Sequence, residues 1–567
     1  VGAFQAILLP GLCVTSAIQT WSRSQRLIYA VPLSLLINHY LVCILVACGL
    51  YGLPVMAAVL TLEIFWLARC ENPAKARYAS LERPGDLLFF VLAAAAFTKY
   101  AEAWARMFGD VFQMWDARAS WNHWARDWFE GRMPMSGMYP NGLPTVYSVP
   151  YAFMGRSDLE MYSKAVSGIF FLAALAALIE LGWREVKLRR LAWASVFFYP
   201  GLQAGYLQSH WVSGYADVPL AAFSIFFFCM AALEKPFLLG LVAGSAALVK
   251  QPGMFFAGLS PLLANGWPGW KKARKDWPRM IAGIFLAATP YYLFVVVRIY
   301  FLQSDRNNVG YLASIVPGGL AERWTFTLQL LQGVGGAINY LAWLLIVFLG
   351  AVVSKEARRW LLLLGLPWFL IWGTFFGYDI RNISLCLFPW ALAFSAGLEW
   401  IFSLFEKLVA KRPSGQWWKR LREPAGLLRV LGILTVALLL TGFTKPLRHW
   451  RESGSPAGWE REQRMLLGDL PQANLAFARL AKCDARALQV SNYGWAREIP
   501  GLEVKIVECG EVLDLARRHA RAYAFVDTAF CSEDQKRMLD RWNAVYTDGR
   551  AYVLALDPQL PTSCVSK

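Results

Sequence analysis

Apolar runs of bilayer-crossing length recur along most of this chain, and nothing else in the sequence restricts its fold so strongly. A helix needs about 20 mostly apolar residues to cross the hydrocarbon, where no water can satisfy free backbone groups. Runs of this kind fall at 2–20, 28–49, 52–69, 87–105, 161–181, 191–207, 216–233, 281–299, 326–353, 361–377, 384–404 and 427–443. A shorter pair, 236–249 and 252–264, is interrupted at Lys250-Gln251-Pro252. The expected fold class is therefore an α-helical polytopic membrane protein with about 12–14 transmembrane helices. Residues 2–20 read as a retained span rather than a cleaved signal.

Charge supports this and sets an orientation. The 567 residues carry a formal net charge of +17, which by itself is compatible with nucleic-acid binding. The basic residues, however, stand in short clusters between spans, which is the positive-inside pattern. Arg23 and Arg26; Lys75, Arg77 and Arg83; Arg184, Lys187, Arg189 and Arg190 fall on one side. So do Lys271, Lys272, Arg274 and Lys275; Lys355, Arg358 and Arg359; and Lys407, Lys411, Arg412, Lys419, Arg420 and Arg422. That side is expected to be cytoplasmic, and nucleic acid is not an expected partner. Parity then puts the loop 106–160 and the tail on the opposite, external face. The 26 Trp and 22 Tyr suit interfacial belts.

The tail changes character. Residues 1–443 read as a transmembrane module, and 444–567 as a small soluble α/β domain. A polar helical stretch at 456–480 leads into β-like runs at Ala487–Val490, Val504–Val507, Ala522–Val526 and Ala551–Leu556, with helical stretches at 511–521 and 532–543. Four of the ten cysteines, Cys483, Cys509, Cys531 and Cys564, lie here. On an oxidising face they are expected to form one or two disulfides, and the three possible pairings stay open. A zinc site is disfavoured because no CxxC spacing occurs.

Acidic residues are costly in a membrane, so those at span ends are read as functional first. After the fourth span comes Gly109-Asp110-Val111-Phe112-Gln113-Met114-Trp115-Asp116, and then a helical pattern. Trp121, Trp124 and Trp128 recur at i, i+3 and i+7 on one face. Such a helix is expected to lie in the membrane interface with its aromatic side down. Asp116 at its start has the competing role of a helix cap. Further on, Asp217 opens a span with Pro219 in its first turn, again a capping arrangement. Lys250 interrupts the short helix pair, with snorkelling as the competing reading.

A resemblance joins these features. An acid outside an early span, an interfacial helix, then Gly131 and the turn Tyr139-Pro140-Asn141-Gly142-Leu143-Pro144 is similar to the first external loop of the GT-C glycosyltransferases. The likeness is to their protein O-mannosyltransferase and aminoarabinose-transferase branch. Three later segments also resemble that branch: Gly214-Tyr215-Ala216-Asp217-Val218-Pro219-Leu220, Ala247-Leu248-Val249-Lys250-Gln251-Pro252-Gly253, and Arg381 followed by Leu385, Leu387, Phe388 and Pro389. The sequence departs where the branch often has paired acids, since Ala117 follows Asp116, and where its Lys-Pro-Pro turn is Tyr-Pro-Asn.

The resemblance implies a polyprenyl-phosphate sugar donor, transfer with inversion, and a glycan, lipid or protein acceptor at the external face of a bacterial inner membrane. That chemistry needs a carboxylate to take the acceptor's proton and cations to stabilise the departing phosphate. Asp116 is the expected base, with Asp110 in reserve. Lys250, Arg306 and Arg381 are the expected phosphate ligands, and no cofactor or metal is required of them. Arg298 stands near the same end of its span, with an anchoring role as the rival. Asp217, Tyr139, His123 and His210 complete the candidate substrate-binding set, the lone histidines having a structural role as their alternative. The Trp stripe serves as an anchor or a sugar platform. A transporter or lipid flippase is the alternative from another class, and an O-antigen ligase or polymerase is a second enzymatic one. The acids gather at the external mouth and no internal repeat is visible, which disfavours transport.

Overall fold

The computed structural model describes residues 1–70, 73–75, 78–81, 84–106, 112, 114, 116–134, 136, 139–157, 159–207, 213–264, 273–298, 319–332, 337–376, 380–409, 471–484, 486–492, 504–528, 531–542, 544–548 and 550–563. The expected span 427–443 and most of the basic cluster at 407–422 lie outside these residues. The chain divides into two compact units, Val1–Gly109 with Trp124–Arg448, and Asp110–His123 with His449–Lys567.

The first unit is helical. Its opening helices are α1 (Gly2–Ile7), α2 (Leu9–Ser16), α3 (Arg23–Ala47), α4 (Leu53–Arg69) and α5 (Pro84–Arg106). After α6 (His123–Phe129) and α7 (Gly142–Met154) come α8 (Met161–Arg184), α9 (Arg189–Leu207), α10 (Asp217–Ala231), α11 (Pro236–Val249), α12 (Pro252–Ala264) and α13 (Ala273–Val296). The series continues with α14 (Leu320–Gln332), α15 (Ala337–Val353), α16 (Lys355–Trp360), α17 (Leu366–Ile371) and α18 (Ser384–Val409). Among the described residues, five helices are long and apolar enough to cross a membrane: Arg23–Ala47, Gly85–Ala105, Met161–Arg184, Asp276–Val296 and Ile380–Glu406. Shorter apolar helices, including α10, α11 and α12, accompany them. The chain is a multi-pass membrane protein.

One expected span is broken. The run 2–20 is not one helix but α1 and α2, which part at Leu8. Pro10 has no N–H for the carbonyl of Ala6 four residues back. The side-chain amide of Asn38 donates to that oxygen instead, at 2.8 Å, so the break leaves no bare acceptor in the bilayer. The run 326–353 is represented by α14 and α15, and residues 333–336 between them lie outside the described residues.

Charges at one end of the unit are less exposed than their sequence positions imply. Arg189 and Arg190 are buried. Arg190 Nε donates to Asp86 Oδ1 at 2.6 Å and its Nη1 to Glu406 Oε2 at 2.6 Å. Arg189 donates to the main-chain oxygens of Ser80, Ala79 and Gly182 and reaches Asp86 Oδ2 at 3.4 Å. These arginines tie α5, α9 and α18 together. At the centre lies α10, whose fifteen residues are all buried; a helix apolar all round belongs in a core.

The second unit contains the mixed sheet. Its order is β2 (Lys505–Ile506), β1 (Leu488–Ser491), β3 (Ala522–Asp527), β5 (Ala551–Ala555), β4 (Ala544–Thr547). β1 runs parallel to β2 and β3, and β5 antiparallel to β3 and β4. β3 is buried along its whole length, as a strand covered on both faces must be. Side chains alternate across it. Tyr523 and Phe525 meet Phe477 and Leu480 of α19 (Pro471–Ala481). Ala522, Ala524 and Val526 meet Val512, Leu513 and Ala516 of α20 (Cys509–Arg517) and Leu539 of α21 (Glu533–Leu539). Four of the five strands coincide with the expected runs; β4, with no fully buried residue, does not. Of the possible disulfides, Cys509–Cys531 is formed, with a Cα–Cα distance of 5.6 Å inside the range such bonds require. Cys483 is disulfide-bonded as well, and Cys564 lies outside the described residues.

Candidate functional site

Helix ends build this site. α11 stops because Pro252 cannot continue it: proline lacks the N–H and pushes its neighbours toward extended backbone. Lys250 accordingly adopts φ −157° and ψ 153°, and Pro252 begins α12. Helices of fourteen and thirteen residues span only about 20 Å each at 1.5 Å per residue, less than the bilayer core. The break thus carries Lys250 into the interior of the unit.

There, among the described residues, two acceptors meet it. Lys250 Nζ donates to Asp217 Oδ1 at 2.6 Å and to Asn382 Oδ1 at 2.9 Å. Asp217 is 2% exposed, and a carboxylate buried so deeply is costly to leave without a partner. It does not cap α10: Ala216 occupies the cap position, and no side-chain capping bond forms. Asn382 lies beside Arg381 in the 3-10 turn Ile380–Ile383 that precedes α18. Its main-chain oxygen accepts from Trp368 Nε1 of α17 at 2.8 Å. The Arg381 guanidinium stacks over the Tyr215 ring at 4.1 Å, within cation–π range. Among the described residues the cluster brings the Lys250 ammonium and the Arg381 guanidinium to the two ends of one polar group around Asp217 and Asn382.

The Tyr139 turn is anchored by its backbone. Tyr139 O accepts from Tyr291 Oη at 2.8 Å and from Ser136 Oγ at 3.1 Å. Asn141 Nδ2 donates to Ser136 Oγ at 2.7 Å and to Tyr291 Oη at 2.9 Å. Gly142 then passes so close to α11 that a Cβ there would come within 2.6 Å of the Leu248 oxygen, two residues before Lys250. Arg298 is buried and donates to Pro134 O at 2.9 Å.

The structure thus gathers Lys250, Asp217 and Arg381 through Asn382 and Tyr215. Asp116 and His123 fall in the second unit. Asp116 is half-buried, its backbone is helical, and it makes no capping bond to the wide-turned segment Ala117–Asn122 that follows. His123 is half-buried at the start of α6. Asp110, His210 and Arg306 lie outside the described residues. The Trp stripe is not laid against lipid: Trp121 and Trp128 are 3% and 1% exposed, and Trp124 packs on Tyr139 with ring centroids 5.8 Å apart. Buried indoles of this size anchor the helix to protein more firmly than to headgroups. Sequence reading missed Asn382 and the Tyr215–Arg381 stack; a polar residue beside a span-end arginine was the available signal. It missed also the pairing of Arg126 with the buried carboxylate of Glu160.

No protein-family model and no curated protein matches the chain. Among solved structures, the chain is similar to ArnT from Cupriavidus metallidurans in the apo state, with a TM-score of 0.46, 14% identity, and coverage of 83% of this chain and 97% of that one. It is similar also to ArnT from the same organism bound to undecaprenyl phosphate, with a TM-score of 0.45, 12% identity, and coverage of 83% and 98%.

Proposed function

We propose that this chain is an inverting glycosyltransferase that moves a sugar from a polyprenyl-phosphate donor to an acceptor hydroxyl of a glycan, lipid or protein. The observation that carries the reading is the Lys250–Asp217–Asn382 cluster with Arg381 beside it. A lysine held by a carboxylate and an amide at a helix break inside a membrane protein is costly to bury. An anionic headgroup gives that cost a purpose.

In the proposed reaction the acceptor oxygen attacks the anomeric carbon. The bond from that carbon to the phosphate oxygen breaks, and its electron pair stays on the phosphate. Asp116 takes the acceptor's proton, with Asp110 as the reserve base. Lys250, Arg381 and Arg306 neutralise the charge that gathers on the leaving monophosphate. Tyr139, His123 and His210 are assigned to substrate binding. Residues 1–443 form the catalytic module. Residues 444–567 form a periplasmic domain on the same side of the inner membrane as the site.

The test is sugar transfer from labelled polyprenyl-phosphate monosaccharides in native membranes, wild type against Asp116→Asn. Loss of transfer at unchanged protein level supports both the reaction and the base. Transfer that survives the substitution moves the base to another carboxylate. Absence of transfer by wild type from every donor, with transport of the lipid instead, would replace the reading with a flippase.

A further inference from the structure

Beneath the Tyr139 turn lies a buried cluster that the proposed reaction leaves unused. His39 of α3 and Asn141, which occupies the N-cap position of α7, are 0% and 1% exposed. Tyr291 of α13 joins them. Its hydroxyl accepts from the Asn141 amide at 2.9 Å, and its ring meets the His39 imidazole edge-on with centroids 5.4 Å apart. His39 Nδ1 stands 3.2 Å from Thr145 Oγ1, one turn into α7. We propose that His39 is a positioning residue for this turn, tied to Thr145 by a proton on Nδ1 and to buried water through Nε2. Its service to substrate rests on the assignment of Tyr139 to substrate binding; its hold on the turn does not.

Counting protons fixes the direction of these bonds. Tyr291 Oη and Ser136 Oγ each give their one proton to the Tyr139 oxygen. Both therefore accept from Asn141 Nδ2, which keeps the amide nitrogen on that side and turns Asn141 Oδ1 away from it. Thr145 Oγ1 also has one proton, and its shorter contact is to the Gly142 oxygen, at 2.8 Å. The proton between Thr145 and His39 is then the imidazole's, which leaves Nε2 as an acceptor. The Cys43 thiol, 3.9 Å from Nδ1, is a weaker partner. Among the described residues neither His39 Nε2 nor Asn141 Oδ1 has a hydrogen-bond partner, although both atoms are buried. Water is the donor that suits such polar atoms inside a protein. By this arrangement α3 holds the first turn of α7 at Thr145 and, through Tyr291, the Tyr139 oxygen beside it.

The test uses the full-length protein in lipid nanodiscs. NMR of its five histidines, labelled with heavy nitrogen, reports the proton, the His39 signals being those lost in His39→Gln. A proton on Nδ1 and a bare Nε2 in contact with water are expected. A proton on Nε2 would overturn the inference. Hydrogen exchange of Thr145, whose N–H donates to Asn141 O, reads the turn. His39→Leu should lower its protection about tenfold, the scale of a lost buried hydrogen bond. His39→Asn keeps a nitrogen donor near the Nδ1 position and should recover most of that loss. Unchanged protection in His39→Leu, or no recovery in His39→Asn, would overturn the inference. An equal loss across α18 would also overturn it, by showing general damage. Donor KM should rise about tenfold in His39→Leu with kcat changed less. A fall in kcat at unchanged KM would overturn the service to binding. Absence of transfer by wild type would overturn the functional reading, while the proton position and the exchange would still decide the role of His39.

Discussion

Lys250 Nζ and Asp217 Oδ1 are 2.6 Å apart, although thirty-three residues separate them in the chain, and both belong to helix termini inside the unit. A buried pair of this kind contributes little net stability but is costly to halve. Lys250→Met or Asp217→Leu alone should therefore lower stability by about 3–5 kcal/mol. The double variant should recover most of that loss. Thermal unfolding of the four proteins in detergent checks it; strictly additive losses would show that the pair is not coupled.

A second network predicts an order of effects. Asp86 serves both Arg189 and Arg190 and its side chain is 7% exposed, whereas Glu406, among the described residues, pairs with Arg190, accepts from the Gly85 N–H at 3.1 Å and is 24% exposed. Asp86→Ala leaves two buried guanidinium groups short of charge and should cost about 3–5 kcal/mol. Glu406→Ala should cost on the order of 1–2 kcal/mol, because Glu406 is itself partly solvated and Arg190 keeps Asp86. The same unfolding measurement decides, and the reverse order would show that Glu406 is the main support of the arginines.

The α11–α13 contact depends on small residues. A Cβ at Gly240 would come within 2.0 Å of the Met280 oxygen, while a Cβ at Gly258 in α12 meets nothing within 4 Å. Gly240 and Gly244 form the small-xxx-small spacing that lets helix backbones approach in a membrane. Gly240→Ala should destabilise by about 1–3 kcal/mol, since backbone must move to admit it. Gly258→Ala should instead stabilise by about 0.5–1 kcal/mol through lower chain entropy and better helix propensity. Opposite shifts in unfolding midpoint are the expected result, and a neutral Gly240→Ala would mean that the helices separate freely.

The sheet domain should respond to acid through Asp484. Arg521, donating through Nη2 at 2.5 Å, holds the Asp484 carboxyl below the usual carboxylate range. The folded pKa is thus lower than the unfolded one, so the contribution is complete above about pH 4. It is lost as pH falls through the lower folded value. Arg521 is exposed and Asp484 half-buried, so salt should weaken the effect. Hydrogen exchange of the strand containing Leu488, whose N–H donates to Arg521 O, reports it in the full-length protein. Wild type should be more protected than Arg521→Ala at neutral pH, and the gap should close in acid. A gap that persists at the lowest pH would assign the protection to the backbone bond alone.

What the amino-acid sequence determined by itself is the part whose physics is local. A bilayer admits only backbone that satisfies its own hydrogen bonds, so apolar runs announced α3, α4, α5, α8 and α18 to within a few residues. The α11–α12 break was legible at Lys250-Gln251-Pro252 because proline acts on its immediate neighbours. Short β-like runs marked β1, β2, β3 and β5 for the same reason. Only the tertiary structure decided the rest. Asn38 satisfies the oxygen that Pro10 abandons from thirty-two residues away, the Trp face of the 121–128 helix turns into protein, and Cys509 takes Cys531 out of three possible pairings. Asn382 reaches Lys250 across 132 residues. A side chain's own position fixes its chemistry, but the partner that neutralises, steers or covers it is selected by packing at long range, and no spacing in the sequence encodes that distance.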